Sequence, residues 1–141
     1  MRMEAYKHIV QYYETDKMGV THHSNYIRWM EEARIDVLRQ VGWDYAKLEE
    51  EGIVSPVIGV DCKYKKSTTF GDMVFITVSA EEYNGVRLTL KYEMKNENGD
   101  IAAIGHSNHC FFNKERKMLK LQKSFPQLHE SLAALLPAEM L

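Results

Sequence analysis

The chain has 141 residues, 45% apolar and 27% charged, a length and composition that suit one globular domain over residues 1–141 with a closed core. Eighteen Lys and Arg against twenty Asp and Glu leave a net charge of −2, which excludes the strong basic footprint of a dedicated nucleic-acid binder. The longest run without formal charge, Ile101 to Asn113, is too short to span a bilayer, and Met1 to Val10 lacks the apolar stretch of a signal peptide. Cys62 and Cys110 alone make no disulfide framework, so a reduced, cytoplasmic protein is expected.

In chain order, Ala5 to Tyr13 reads as a first strand. A helix is predicted from Ser24 or Asn25 to about Val41, with Ser24 as N-cap and Gly42 as the stop. At 100° per residue, Tyr26, Trp29, Met30, Ala33, Val37 and Val41 form one apolar stripe, widened by Ile27 and Leu38. Asp44 to Glu51 leans acidic. After residue 55 the period changes from 3.6 to 2, giving strands over Val57–Tyr64, Val74–Ala80, Val86–Lys95 and Ile101–Phe112. Asn84-Gly85 and Asn98-Gly99 supply the hairpin turns. Lys114 to Lys123, with five basic residues, reads as a solvated face, and Phe125 to Leu136 as a short amphipathic helix ending before Pro137. Strands and helices do not alternate, so the expected class is α+β: a curved antiparallel sheet around one long helix.

The densest polar stretch, Tyr12 to Tyr26, leads directly into the start of that helix. Unpaired N–H groups and the positive end of the helix dipole collect there and can stabilise a developing oxyanion. Asp16 lies just upstream, and Gly19 permits a sharp return. A carboxylate beside oriented N–H donors is a minimal kit for hydrolysing an activated acyl group. The alternative for Asp16 is that it merely braces the turn.

The run Tyr13-x-x-Asp16-x-x-Gly19-Val20-x-x-His23-x-x-Tyr26, followed by Glu31-Glu32-Ala33-Arg34, resembles the hotdog-fold acyl-CoA thioesterases, in particular the 4-hydroxybenzoyl-CoA thioesterase type that includes the Tol–Pal-associated enzymes. The Phe70-Gly71-Asp72 turn and the strand from Gly105 to Phe111 also fit. The resemblance implies a catalytic role for Asp16, as general base on water or as nucleophile forming a mixed anhydride. It implies that the backbone N–H of His23 polarises the thioester carbonyl while the His23 side chain contacts the reacting group. Gly19 and Val20 match the loop that shapes the substrate pocket, and Tyr26 matches an aromatic position on the helix. His22 departs from the pattern, since many relatives carry Tyr or Phe there. The implied activity is hydrolysis of an acyl-CoA to free acid and CoA, with no metal or organic cofactor, in a homodimer or homotetramer.

Other residues carry plainer expectations. His22, His23, His106 and His109 do not converge as metal ligands, because adjacent residues in extended chain, and residues three apart on a strand, face opposite ways. Glu31 and Arg34 are spaced as an i,i+3 ion pair, with Glu31 or Glu32 as a fallback for the catalytic acid. Lys63, Lys65, Lys66 and Lys114 are candidates for the CoA phosphates. Two rival functions remain: a non-catalytic acyl-CoA-binding module, and a hotdog hydratase or dehydratase. The latter pairs Asp and His about five positions apart, against six and seven from Asp16 to His22 and His23.

Overall fold

A computed structural model describes residues 3–137, so residues 1, 2 and 138–141, the ends of the expected domain, lie outside it. Five strands, β1 (Tyr6–Ile9), β2 (Val57–Tyr64), β3 (Met73–Tyr83), β4 (Arg87–Lys95) and β5 (Ile101–Cys110), form one sheet in the order β1-β3-β4-β5-β2. Every neighbouring pair is antiparallel. Alternation sets the buried face: Val74, Ile76, Val78 and Ala80 of β3, and Leu88, Leu90, Tyr92 and Met94 of β4, all point into the core.

Helix α1 (Ser24–Gln40, seventeen residues) covers that face with Tyr26, Trp29, Met30, Ala33, Val37 and Leu38, as its stripe predicts. It ends as expected. Gly42 adopts φ +88°, and the N–H groups of Gly42 and Trp43 close back onto the carbonyls of Arg39 and Leu38. Met30 sits over Gly105 of β5, where a Cβ would stand 2.7 Å from its sulfur. The missing Cβ lets Met30 approach the sheet closely at the row Val78–Tyr92–Gly105–Cys62.

Four expectations change. The first strand stops at Ile9, and Tyr12–Glu14 forms a 3-10 turn instead. The acidic segment folds as α2 (Tyr45–Glu50), because the Asp44 carboxylate accepts the Lys47 N–H at 2.9 Å and caps it. A short extra helix, α3 (Leu121–Ser124), precedes the expected tail helix, which is α4 (Pro126–Ala133) with Pro126 at its first helical position. Ser24 is not the cap of α1: His23 is already helical and Ser24 is the first residue of the helix.

Leu128 and Leu132 of α4 join the same apolar cluster as α1 and the sheet, and the basic residues between Lys114 and Lys123 are exposed, as expected. Because β2 lies at the far edge, its connection to β3 crosses the end of the sheet beside the start of α1. That crossing positions the site. No helix among the described residues is long and apolar enough to cross a membrane.

Candidate active site

Residues 14 to 22 form a small hairpin. The His22 N–H donates to the Glu14 carbonyl, Thr15 bridges Thr21, and the Asp16 N–H donates to the Val20 carbonyl. Gly19, at φ +79°, makes the tip, a conformation costly for a residue with a Cβ. Asp16 is half-buried in this tip, and its Oδ1 accepts the Met18 N–H at 2.8 Å. The bracing role foreseen for Asp16 is therefore real, yet it occupies one oxygen; Oδ2 accepts no hydrogen bond among the described residues.

The hairpin is fastened to the β2–β3 connection. Thr69 donates its hydroxyl to the Gly19 carbonyl at 2.6 Å, and the Thr21 N–H donates to the Thr68 carbonyl. The Thr21 and Thr68 hydroxyls meet at 2.7 Å, and the Tyr26 hydroxyl lies 2.9 Å from that of Thr68. Tyr26 is buried, packed against Tyr64 and Trp29, and burial raises its pKa. Val20 is half-exposed beside Gly19.

At the base of the hairpin α1 begins. The His22 carbonyl accepts the Asn25 N–H and the His23 carbonyl accepts the Tyr26 N–H. The His23 N–H has no acceptor among the described residues. Its side chain is exposed and stacked on His22, with ring centroids 4.3 Å apart, and the Tyr64 hydroxyl donates to its carbonyl at 3.3 Å. The structure thus collects Asp16, Gly19, Val20, His23 and Tyr26 on one hairpin–helix unit.

Spacing alone missed Glu14, which is 4% exposed. Its carboxylate accepts the Gln11 N–H, the Trp29 indole N–H at 2.7 Å, and a 2.8 Å bond with His8. Burial pushes the Glu14 pKa up, but these partners outweigh it and hold the carboxyl below its ordinary value. Asn25, also unforeseen, donates its amide to the Glu14 carbonyl at 2.9 Å and locks hairpin to helix.

The fallback acids are engaged elsewhere. Glu31 receives the Arg34 guanidinium at 2.6 Å, the expected ion pair, although Arg34 is itself buried. Glu32 accepts the Tyr6 hydroxyl at 2.7 Å. A cleft of about 240 Å³ lies beside Arg34, Tyr45 and Pro56, towards the far end of α1 from Asp16. His106, between Asp61 and Glu81, and the buried His109 point to opposite faces of β5.

Residues 10–141 match the model of the thioesterase-like superfamily. The chain belongs to that family. A solved DHNA-CoA thioesterase from Staphylococcus aureus is 36% identical and superposes with a TM-score of 0.86, over 93% of this chain and 89% of that one. A 1,4-dihydroxy-2-naphthoyl-CoA hydrolase of Thermosynechococcus vestitus is 28% identical over 126 residues, 88% of this chain and 86% of the relative. The structure of BH1999, a gentisyl-coenzyme A thioesterase, is 26% identical at a TM-score of 0.78, covering 87% of this chain and 99% of that one. The fold is the hotdog fold of that family, and this superfamily member is a thioester hydrolase.

Proposed function

We propose that the protein hydrolyses acyl-CoA thioesters at the N-terminus of α1. The observation that carries this reading is the unpaired His23 N–H at the positive end of the α1 dipole, on the same hairpin–helix unit as a carboxylate with one free oxygen. The thioester oxygen accepts the His23 N–H, which stabilises the charge developing on it. Asp16 either takes a proton from the attacking water or itself attacks the carbonyl, giving a mixed anhydride that water then opens. In both routes the tetrahedral adduct expels CoA as thiolate, which takes up a proton. The His23 ring contacts the reacting group, Gly19 and Val20 wall the pocket, and Tyr26 backs it. This chemistry requires no metal or organic cofactor.

The acyl group in this reading is aromatic, of the 4-hydroxybenzoyl kind, because the related enzymes named for dihydroxynaphthoyl-CoA and gentisyl-CoA also act on ring acids. A second copy of the chain completes the assembly along β2, an edge strand with exposed Val57, Ile58, Val60 and Tyr64.

Thiol release from acetyl-, hexanoyl-, palmitoyl- and benzoyl-CoA tests the reading, with Asp16→Asn alongside the wild type. Turnover is expected on benzoyl-CoA and lost in the variant. Tight binding of these acyl-CoAs without thiol release would replace the reading with a binding module. Hydration of an enoyl-CoA without thiol release would replace it with a hydratase.

A further inference from the structure

The start of α1 is closed in an unusual way. The His22 Nδ1 lies 3.3 Å from the Ser24 backbone nitrogen and 2.9 Å from the Ser24 hydroxyl. A backbone N–H can only donate, so in this contact Nδ1 is the acceptor, which assigns the ring N–H to Nε2. A side chain that accepts the N–H two residues ahead normally belongs to Asp or Asn. Here an imidazole makes that turn. The Glu14 carbonyl takes the His22 N–H and fixes the backbone, while stacking on His23 fixes the ring.

In the opening turn the Ser24 N–H goes to His22 Nδ1, the Asn25 N–H to the His22 carbonyl and the Tyr26 N–H to the His23 carbonyl. Among the described residues, only the His23 N–H of this turn is left without an acceptor. We propose that His22 is a positioning residue for thioester hydrolysis: by accepting the Ser24 N–H through Nδ1, it sets the turn that leaves the His23 N–H free for the substrate carbonyl. The proposal rests on the reading of the site given above. It departs from the expectation that Ser24 caps the helix, since the Ser24 hydroxyl turns back onto the same His22 nitrogen.

The two ring nitrogens can be separated by substitution. Asn carries its amide oxygen where Nδ1 stands, and Gln carries its amide where Nε2 stands. His22→Asn therefore keeps the turn and His22→Gln loses it. On benzoyl-CoA, His22→Gln is expected to lower kcat about tenfold with KM changed less than about twofold, a smaller loss than removal of an oxyanion donor. His22→Asn is expected to stay within about twofold of wild type. Amide exchange at Ser24 reads the same split without substrate: slowed in wild type and His22→Asn, fast in His22→Gln. Full activity in His22→Gln, or equal impairment in both variants, would overturn the proposal. So would unchanged Ser24 exchange in His22→Gln, even if no acyl-CoA were turned over. Asp16→Asn in the same assay separates the two ideas: undiminished turnover there refutes the catalytic assignment of Asp16 and leaves the His22 comparison standing.

Discussion

The buried polar chain behind α1 makes stability depend on pH. His109 is 1% exposed; its Nε2 lies 2.7 Å from the Ser107 hydroxyl, which lies 2.7 Å from the Tyr92 hydroxyl. Burial, reinforced by the Arg34 guanidinium, pushes the His109 imidazole from 6.5 down to about 4. Between those values the unfolded chain binds a proton that the folded chain does not. The contribution is thus fully present above pH 6.5 and is lost as pH falls towards 4. At 1.36 kcal/mol per pH unit the whole effect amounts to about 3 kcal/mol, of which about 2 kcal/mol is lost between pH 7 and pH 5. Urea unfolding of wild type and His109→Gln at both pH values, at one fixed protein concentration, measures it. The wild type should lose about 2 kcal/mol more than the variant over that interval. Equal losses would refute the reasoning, as would an NMR titration showing His109 protonated near pH 6.

Asp16→Asn should lower kcat for thiol release by about 10²-fold or more while leaving the urea midpoint nearly unchanged, since Asn can still accept the Met18 N–H. Glu14→Gln, which substitutes a weaker acceptor for a carboxylate holding three partners, should cost about 1–3 kcal/mol in urea unfolding. Gly105→Ala places a Cβ 2.7 Å from the Met30 sulfur and 3.0 Å from the Asp61 carbonyl oxygen; a loss of about 1–3 kcal/mol is expected in the same assay. Val60→Lys, on the exposed β2 edge, should shift sedimentation towards monomer; an unchanged assembly would move the expected interface away from β2.

The sequence declares what is periodic. The alternation in β4 and the stripe of α1 were legible because each needs only its own segment and one apolar neighbour. Helix α2 was missed because six residues carry too little periodicity; Asp44 as cap and Gly52 just after the helix were the available signals. Glu14 was missed for a different reason. A carboxylate is buried only when partners satisfy it, and its partners His8 and Trp29 lie on other elements. Arg34 is similar: its pairing with Glu31 follows from helical spacing, but its burial depends on the residues around Ser55, whose carbonyl it also reaches. Tyr64 and Thr68 bear on the site through a crossover that local pattern does not encode, because β2 joins the sheet at its far edge.

The seam between the 14–22 hairpin and the β2–β3 connection also has a bearing on the order of folding. Its hydroxyl contact joins Thr21 to Thr68 across 47 positions of sequence, so it forms only after the intervening chain has closed a long loop. The hairpin can form locally, but its seat on Thr68 and Thr69 is supplied by a distant part of the chain. A partly folded chain would hold Asp16 on an unanchored loop, with Tyr26 lacking its Thr68 partner. On the proposed role of Asp16, thioester cleavage therefore depends on this long-range seam as well as on the local hairpin.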